Sequence, residues 1–189
     1  MELVRPTSPA WLAHALRHFD EVLVDHAHCE KKAAANALSL LQAYPTVPGL
    51  PAQMARLARE EAAHLARVLQ LMEERGLQLG RDGGDPYAQG LQQLVRTGQA
   101  ERPLDRFLVA GIIEARSAER LALLAEGLEA PELRRFYAEL ARSEDGHQRL
   151  FERLAEAVAP PEVAQARLRV LLEEEARLVE RLPVRAAVH

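Results

Sequence analysis

One cysteine, two lysines and very few aromatic residues stand in this chain of 189 residues, and each scarcity removes a class of function. The single Cys29 cannot form an internal disulfide and fits a reducing compartment. No Cys-x-x-Cys occurs, so there is no rubredoxin-type iron site and no dithiol redox pair. There is no Gly-x-Ser-x-Gly nucleophile turn and no Walker loop. No run of about eighteen apolar residues exists, which argues against a membrane span. The N-terminus lacks a charged-then-apolar leader, so the expected location is cytoplasmic. Nowhere does hydrophobicity alternate with the period of a strand.

What remains is helical. Ala, Leu, Glu and Arg dominate, and the length suits one domain spanning residues 1–189 with a sizeable core. Proline and glycine punctuate the sequence into five helices. The first opens at Ser8-Pro9, a good cap and first-turn pair, and is expected to run to about residue 44, where Pro45 and Pro48 stop it. The second is expected over 51–76, closed by Gly76. A glycine-rich connection over 77–102 follows, with room for a short helix at 87–96. Asp82-Gly83-Gly84-Asp85 within it reads as a turn. The third helix is expected over 103–127, the fourth from 131 to Pro160-Pro161, and the fifth over 162–182. Short links make helices one and two a hairpin, and three and four another. One long crossover between two antiparallel pairs predicts an all-α, ferritin-like four-helix bundle, with the fifth helix outside it.

One arrangement of acids and imidazoles occurs twice. Glu30 precedes Glu61-Ala62-Ala63-His64, and Glu114 precedes Glu144-Asp145-Gly146-His147, each by about one helix and a turn. With 22 Glu and 7 His, roughly one Glu-x-x-His is expected by chance, so the motif alone is weak. Its placement is stronger. Steps of three and four trace an apolar seam through Leu12, Leu16, Phe19, Leu23, His26, Glu30, Ala33, Ala37 and Leu40 in the first helix. The same steps give Met54, Leu57, Glu61, His64, Val68 and Leu71 in the second. They give Leu104, Phe107, Gly111, Glu114, Ala118 and Leu121 in the third. Leu133, Tyr137, Leu140, Glu144, His147, Phe151 and Leu154 follow in the fourth. All six donors thus lie on core-facing seams.

Buried carboxylates are costly unless cations hold them. Residues i and i+3 share a helix face about 5–6 Å apart at Cβ, so each Glu-x-x-His can offer one metal a carboxylate and an imidazole. Four carboxylates and two imidazoles without thiolate suit a pair of iron or manganese ions. The net charge is −4; setting the four ligand glutamates aside leaves 24 acids against 24 Lys and Arg. The acidic excess therefore belongs to the site, and the remaining charge carries no global nucleic-acid signature. His26, one turn before Glu30, is placed to orient it. His14, His18 and His28 are expected at the surface. Small residues at Gly111 and Ala118 either leave a cavity near the site or allow close helix approach.

The words around the donors are more specific than the donors. Asp25-His26-Ala27-His28-Cys29-Glu30-Lys31-Lys32, Ile113-Glu114-Ala115-Arg116-Ser117-Ala118-Glu119-Arg120 and Ser143-Glu144-Asp145-Gly146-His147 resemble the MiaE family over about residues 9–180. The resemblance implies an O2-dependent di-iron hydroxylase acting on the isopentenyl group of 2-methylthio-N6-isopentenyladenosine at position 37 of tRNA. It implies two Fe ions held by Glu30, Glu61, His64, Glu114, Glu144 and His147, O2 as co-substrate, and electrons from an external reductase or ferredoxin. It also implies a basic rim for the anticodon loop, for which Arg116, Arg120, Arg134, Arg135 and Arg142 are the candidates. A monomer with no membrane attachment is expected. The pattern alone leaves other readings open: a ferritin-like oxidase of iron itself, a di-iron enzyme of a small lipid or metabolite, or a helical interaction module without metal.

Overall fold

The computed structural model describes residues 1–189 and contains seven helices and no strand. These are α1 (Pro9–Arg17), α2 (Phe19–Ala43), α3 (Leu50–Glu74), α4 (Pro86–Gln92), α5 (Arg102–Gly127), α6 (Pro131–Val158) and α7 (Pro161–Arg181). No helix is long and apolar enough to cross a membrane. The contacts divide the chain into two compact units. One holds Met1–Leu12, Gly84–Val184 and His189; the other holds Ala13–Gly83 and Arg185–Val188.

The second unit is built on the α2–α3 hairpin. The helix expected to run unbroken from residue 9 to 44 is interrupted at His18, whose backbone (φ −119°, ψ 40°) leaves the helical region. No glycine or proline marks the break. Instead, the His18 N–H still bonds to the carbonyl of His14, and its ring Nδ1 lies 3.0 Å from Glu21 Oε1 in the first turn of α2. One residue thereby serves the end of one helix and the start of the next. Gly49 (φ 74°) turns the chain into α3. Gly76 (φ 69°) closes α3 with N–H bonds from Gly76 to Glu73 and from Leu77 to Met72, at 3.0 and 2.8 Å. That paired closure is the Schellman geometry, which needs a left-handed residue at Gly76.

In the first unit, α5 and α6 form the second hairpin, and α4 and α7 pack on it. Asp85 caps α4 by accepting from the Ala88 N–H at 3.0 Å. An ideal Cβ on Gly90 would stand 2.8 Å from a methyl of Leu178, so glycine there lets that leucine of α7 pack against the α4 backbone. The fully buried Asp105, in the first turn of α5, receives Arg96 from the preceding loop and Arg167 from α7. Burial alone would push its carboxyl up, but these hydrogen bonds outweigh it and hold the group at about 2.

The seams are buried around the candidate donors, while Leu12, Leu16, Ala33, Ala118 and Leu133 are half-buried. In α6, Tyr137, Leu140, Glu144, His147, Phe151 and Leu154 are all buried, as the periodicity requires. By the last turn of α3 the fully buried residue is Met72 rather than Leu71. A 3.5-residue repeat drifts only about 20° per heptad on a helix, a fraction of one residue, so both neighbours border the core face there and Leu71 is half-buried.

Candidate metal centre

Each hairpin brings one carboxylate from its first helix to a Glu-x-x-His turn on its second. In the α2–α3 unit, Glu30 comes from mid-α2 and Glu61 and His64 from mid-α3. His64 Nδ1 lies 3.3 Å from Glu61 Oε2 and 3.7 Å from Glu30 Oε2. One donor atom from each of the three falls within 4.8 Å of the others. In the α5–α6 unit, Glu114, Glu144 and His147 gather within the same limit, with His147 Nδ1 3.2 Å from Glu144 Oε2. All four glutamates and His147 are buried, and His64 is nearly so.

The donor chemistry passes the test a metal would set. Two carboxylates and one imidazole converge in each triad, away from water, where like charges would repel strongly without a cation. Oxygen and imidazole nitrogen without sulfur suit iron or manganese. The nearby buried thiol takes no part in its triad, because Cys29 Sγ donates to Asp25 Oδ2 one turn earlier, at 3.6 Å. These buried Glu and His clusters suit a di-iron centre.

The two triads are not equivalent. His26 Nε2 donates to Glu30 Oε1 at 2.7 Å, with both side chains buried. A carboxylate held on one oxygen presents the other in a fixed direction. Glu114 has Ala110 at the corresponding position one turn earlier, so the repeat carries this orienting imidazole on one side alone.

The five arginines divide into two groups. Arg116 is fully buried, and its guanidinium is spent inside the protein on Glu175, Glu119, the Thr7 hydroxyl and the Arg5 carbonyl. Arg120 is also buried, 4.8 Å from the Trp11 ring and bonded to Thr7, and burial beside Arg116 lowers it to about 10. Neither can form part of a basic rim; that expectation is corrected, since both tie the N-terminal segment to α5. Arg134, Arg135 and Arg142 are exposed on α6. His28 is likewise corrected, being buried rather than at the surface. It donates to the Leu79 carbonyl at 3.2 Å and fastens the segment after α3 to α2.

The small residues also separate. An added Cβ on Gly111 would meet Phe151 Cβ at 3.2 Å, so glycine there permits close approach of α5 and α6. Ala118 instead lines an open trough of about 990 Å³ between the same two helices.

Two polar groupings escaped the sequence reading. Glu175 of α7 is fully buried and joins Arg116 to the Tyr87 hydroxyl, which donates to it at 2.9 Å. Burial, then the Glu175 charge, pushes that hydroxyl well above its usual value. The signal was a carboxylate on the apolar stripe of α7, after Leu171 and Leu172. The second grouping is His189, with Nδ1 3.1 Å from Asp85 Oδ2 and Nε2 2.6 Å from Ser117 Oγ. No periodicity points to it, because its three members come from a loop, a helix and a terminus.

Comparison with known proteins places these features. A sequence profile of the family described as tRNA-(MS2IO6A)-hydroxylase (MiaE) matches residues 2–189. The tRNA 2-(methylsulfanyl)-N(6)-isopentenyladenosine(37) hydroxylase of Pseudomonas putida is 44% identical over 150 residues, covering 79% of this chain and 73% of that protein. The enzyme of the same name from Salmonella typhimurium is 28% identical over 223 residues, covering 92% of this chain and 82% of its own. Among solved structures, a Synechococcus protein described as having aldehyde deformylating oxygenase activity superposes with a TM-score of 0.94. It is 43% identical and the match covers 99% of this chain and 94% of that one. The all-α, ferritin-like class expected from the sequence is the class of this fold.

Proposed function

The chain belongs to the MiaE family, and from that premise we propose that it hydroxylates the isopentenyl group of 2-methylthio-N6-isopentenyladenosine at position 37 of tRNA. Glu30, Glu61 and His64 hold one iron, and Glu114, Glu144 and His147 hold the other. The observation that carries this reading is the pair of buried Glu, Glu-x-x-His triads, one in each hairpin, in a chain of this family. The bound iron pair supplies the two-electron activation of O2 that an allylic C–H bond demands. One oxygen atom enters that bond and the other leaves as water, which consumes two electrons and two protons. No group in this chain carries electrons, so an external reductase or ferredoxin provides them.

The residues do the rest. The triads fix donor atoms so that little reorganisation accompanies metal binding. His26 keeps Glu30 turned in one direction. Burial of both triads excludes bulk water, which would otherwise compete for the oxidant. The protein is read as a single catalytic domain over residues 1–189, working as a cytoplasmic monomer on the anticodon loop.

The test is mass spectrometry of nucleosides from prenylated, methylthiolated tRNA after incubation with protein, ferrous iron, reductant and ¹⁸O2. A gain of one labelled oxygen on the prenyl group is expected. Protein holding two irons that leaves this nucleoside unchanged would overturn the proposal. A second reading, oxygenation of a small aldehyde, draws on the activity attributed to the Synechococcus protein. Conversion of a medium-chain aldehyde, with tRNA untouched, would select it.

A further inference from the structure

The trough between α5 and α6 belongs to neither triad, yet it starts beside one. On α5 it begins at Ala118, one turn after Glu114; on α6 it reaches Asp145, next to Glu144. Its floor is alanine, including Ala118, Ala122, Ala138 and Ala141. From Arg134 to Asp145 it follows α6 for roughly 16 Å at the helical rise. A volume of about 990 Å³ lies at the upper end of ordinary ligand sites and exceeds what a five-carbon chain alone would occupy.

Cations outnumber acids along the rim. Arg134, Arg135 and Arg142 line it and are exposed. Arg135 and Arg142 lie seven residues apart, about 10 Å along the same side of α6. The Arg134 Nε donates only to the Ala125 carbonyl at 3.3 Å, which leaves its charge uncompensated. Of the two acids at the rim, Asp145 is neutralised by Arg149 at 2.6 Å, leaving Glu126. An apolar floor next to catalytic donors, bordered by three cations, is complementary to an apolar group attached to a polyanion. It is a poor match for a neutral aldehyde, which would gain nothing from the guanidinium groups.

Resting on the function proposed above, we infer that this trough seats the modified nucleotide of the RNA. The alanine floor takes the prenylated base and directs the prenyl end toward Glu114 and Glu144. Arg134, Arg135 and Arg142 receive backbone phosphates on either side of it. The alanines are then specificity-determining: each methyl group stands where a larger side chain would close the trough.

Two sets of variants test this on the iron-loaded protein. Binding of a labelled anticodon stem-loop carrying the prenylated adenosine is followed by anisotropy across a salt series. R135E/R142E is expected to weaken binding at least ten-fold. It should also flatten the dependence of log affinity on log salt by about 1.4, the value for two lost contacts on a single strand. R169E, an exposed change on α7, serves as the charge control and is expected to behave as wild type. A138F and A122F are expected to retain two irons while hydroxylation of the RNA falls at least ten-fold. Equal weakening by R169E and R135E/R142E, or full turnover in both phenylalanine variants, overturns the inference. Loss of aldehyde conversion in A138F with RNA binding unchanged in R135E/R142E overturns it in favour of a small neutral ligand. Wild type that hydroxylates the RNA while every trough variant matches it sinks this inference alone. Wild type that neither binds nor hydroxylates the RNA sinks the proposed function as well.

Discussion

His26 is the residue whose role follows most directly from a single contact. Its Nε2 donates to Glu30 Oε1 at 2.7 Å in a buried setting, and the second triad has alanine at the matching place. Loss of an outer hydrogen bond to a ligating side chain typically weakens metal affinity 10- to 100-fold. His26→Ala is therefore expected to lower ferrous affinity at one of two sites by about that factor, measured by anaerobic titration. His26→Gln, which can still donate to Glu30, should recover most of it. An alanine variant that binds both ions as tightly as wild type would refute the role. The core-facing placement of the six candidate donors was legible in the sequence because helical periodicity reports which face a residue occupies. The arginines were not. Residue type gives charge, but whether a guanidinium meets water or Glu175 depends on a helix fifty-nine residues away. Arg116 lies on the side of α5 that meets α7, and nothing local distinguishes it from Arg135.

At the scale of elements, punctuation and cooperativity decide what can be read. Proline and glycine set the observed limits of α3, α5, α6 and α7 to within a residue or two of expectation, since both act through the local backbone. The break at His18 uses neither and depends on how one imidazole meets Glu21, so periodicity ran straight through it. Asp105 shows the same limit in tertiary form. It fastens the loop before α5 and the flank of α7 to the first turn of α5, through five hydrogen bonds from Arg96 and Arg167. Its carboxyl is depressed to about 2 in the folded chain, below its ordinary 3.8. A depressed folded value stabilises the fold at pH above the unfolded value, and that contribution disappears as pH falls through the folded one. Asp105→Asn is expected to cost about 3 kcal/mol near neutral pH, because two guanidinium groups lose their partner. The gap between wild type and variant should be full near pH 6, shrink below about pH 4 and close near pH 2. Urea unfolding across that range measures it, and a gap that stays constant would show that Asp105 does not act through its charge.

For the whole molecule the governing quantity is charge held out of water. The chain carries −4, equal in size to the charge of the four candidate ligand glutamates, and those glutamates are all buried. Two divalent ions would bring the sum to zero and replace repulsion within each triad by coordination. A metal that binds the folded chain and not the unfolded one adds about 2.7 kcal/mol per site at a free concentration one hundred times its dissociation constant. In a protein of this size, each kcal/mol raises the melting temperature by roughly 2–4 °C. Saturating ferrous iron under argon is therefore expected to raise the midpoint by about 5–10 °C per ion relative to chelator-treated protein. The increment should follow the triads individually. His147→Ala removes a donor from the α5–α6 hairpin and leaves Glu30, Glu61 and His64 intact, so about half of the rise should survive in it. His64→Ala should leave the complementary half. Calorimetry reads this without substrate, reductant or O2, so it separates metal binding from catalysis. Identical midpoints with and without iron in the wild-type protein would mean that the buried glutamates are accommodated without metal. The repeated triad would then be a structural feature of the two hairpins, and the assignment of its six donors to iron would fall with it.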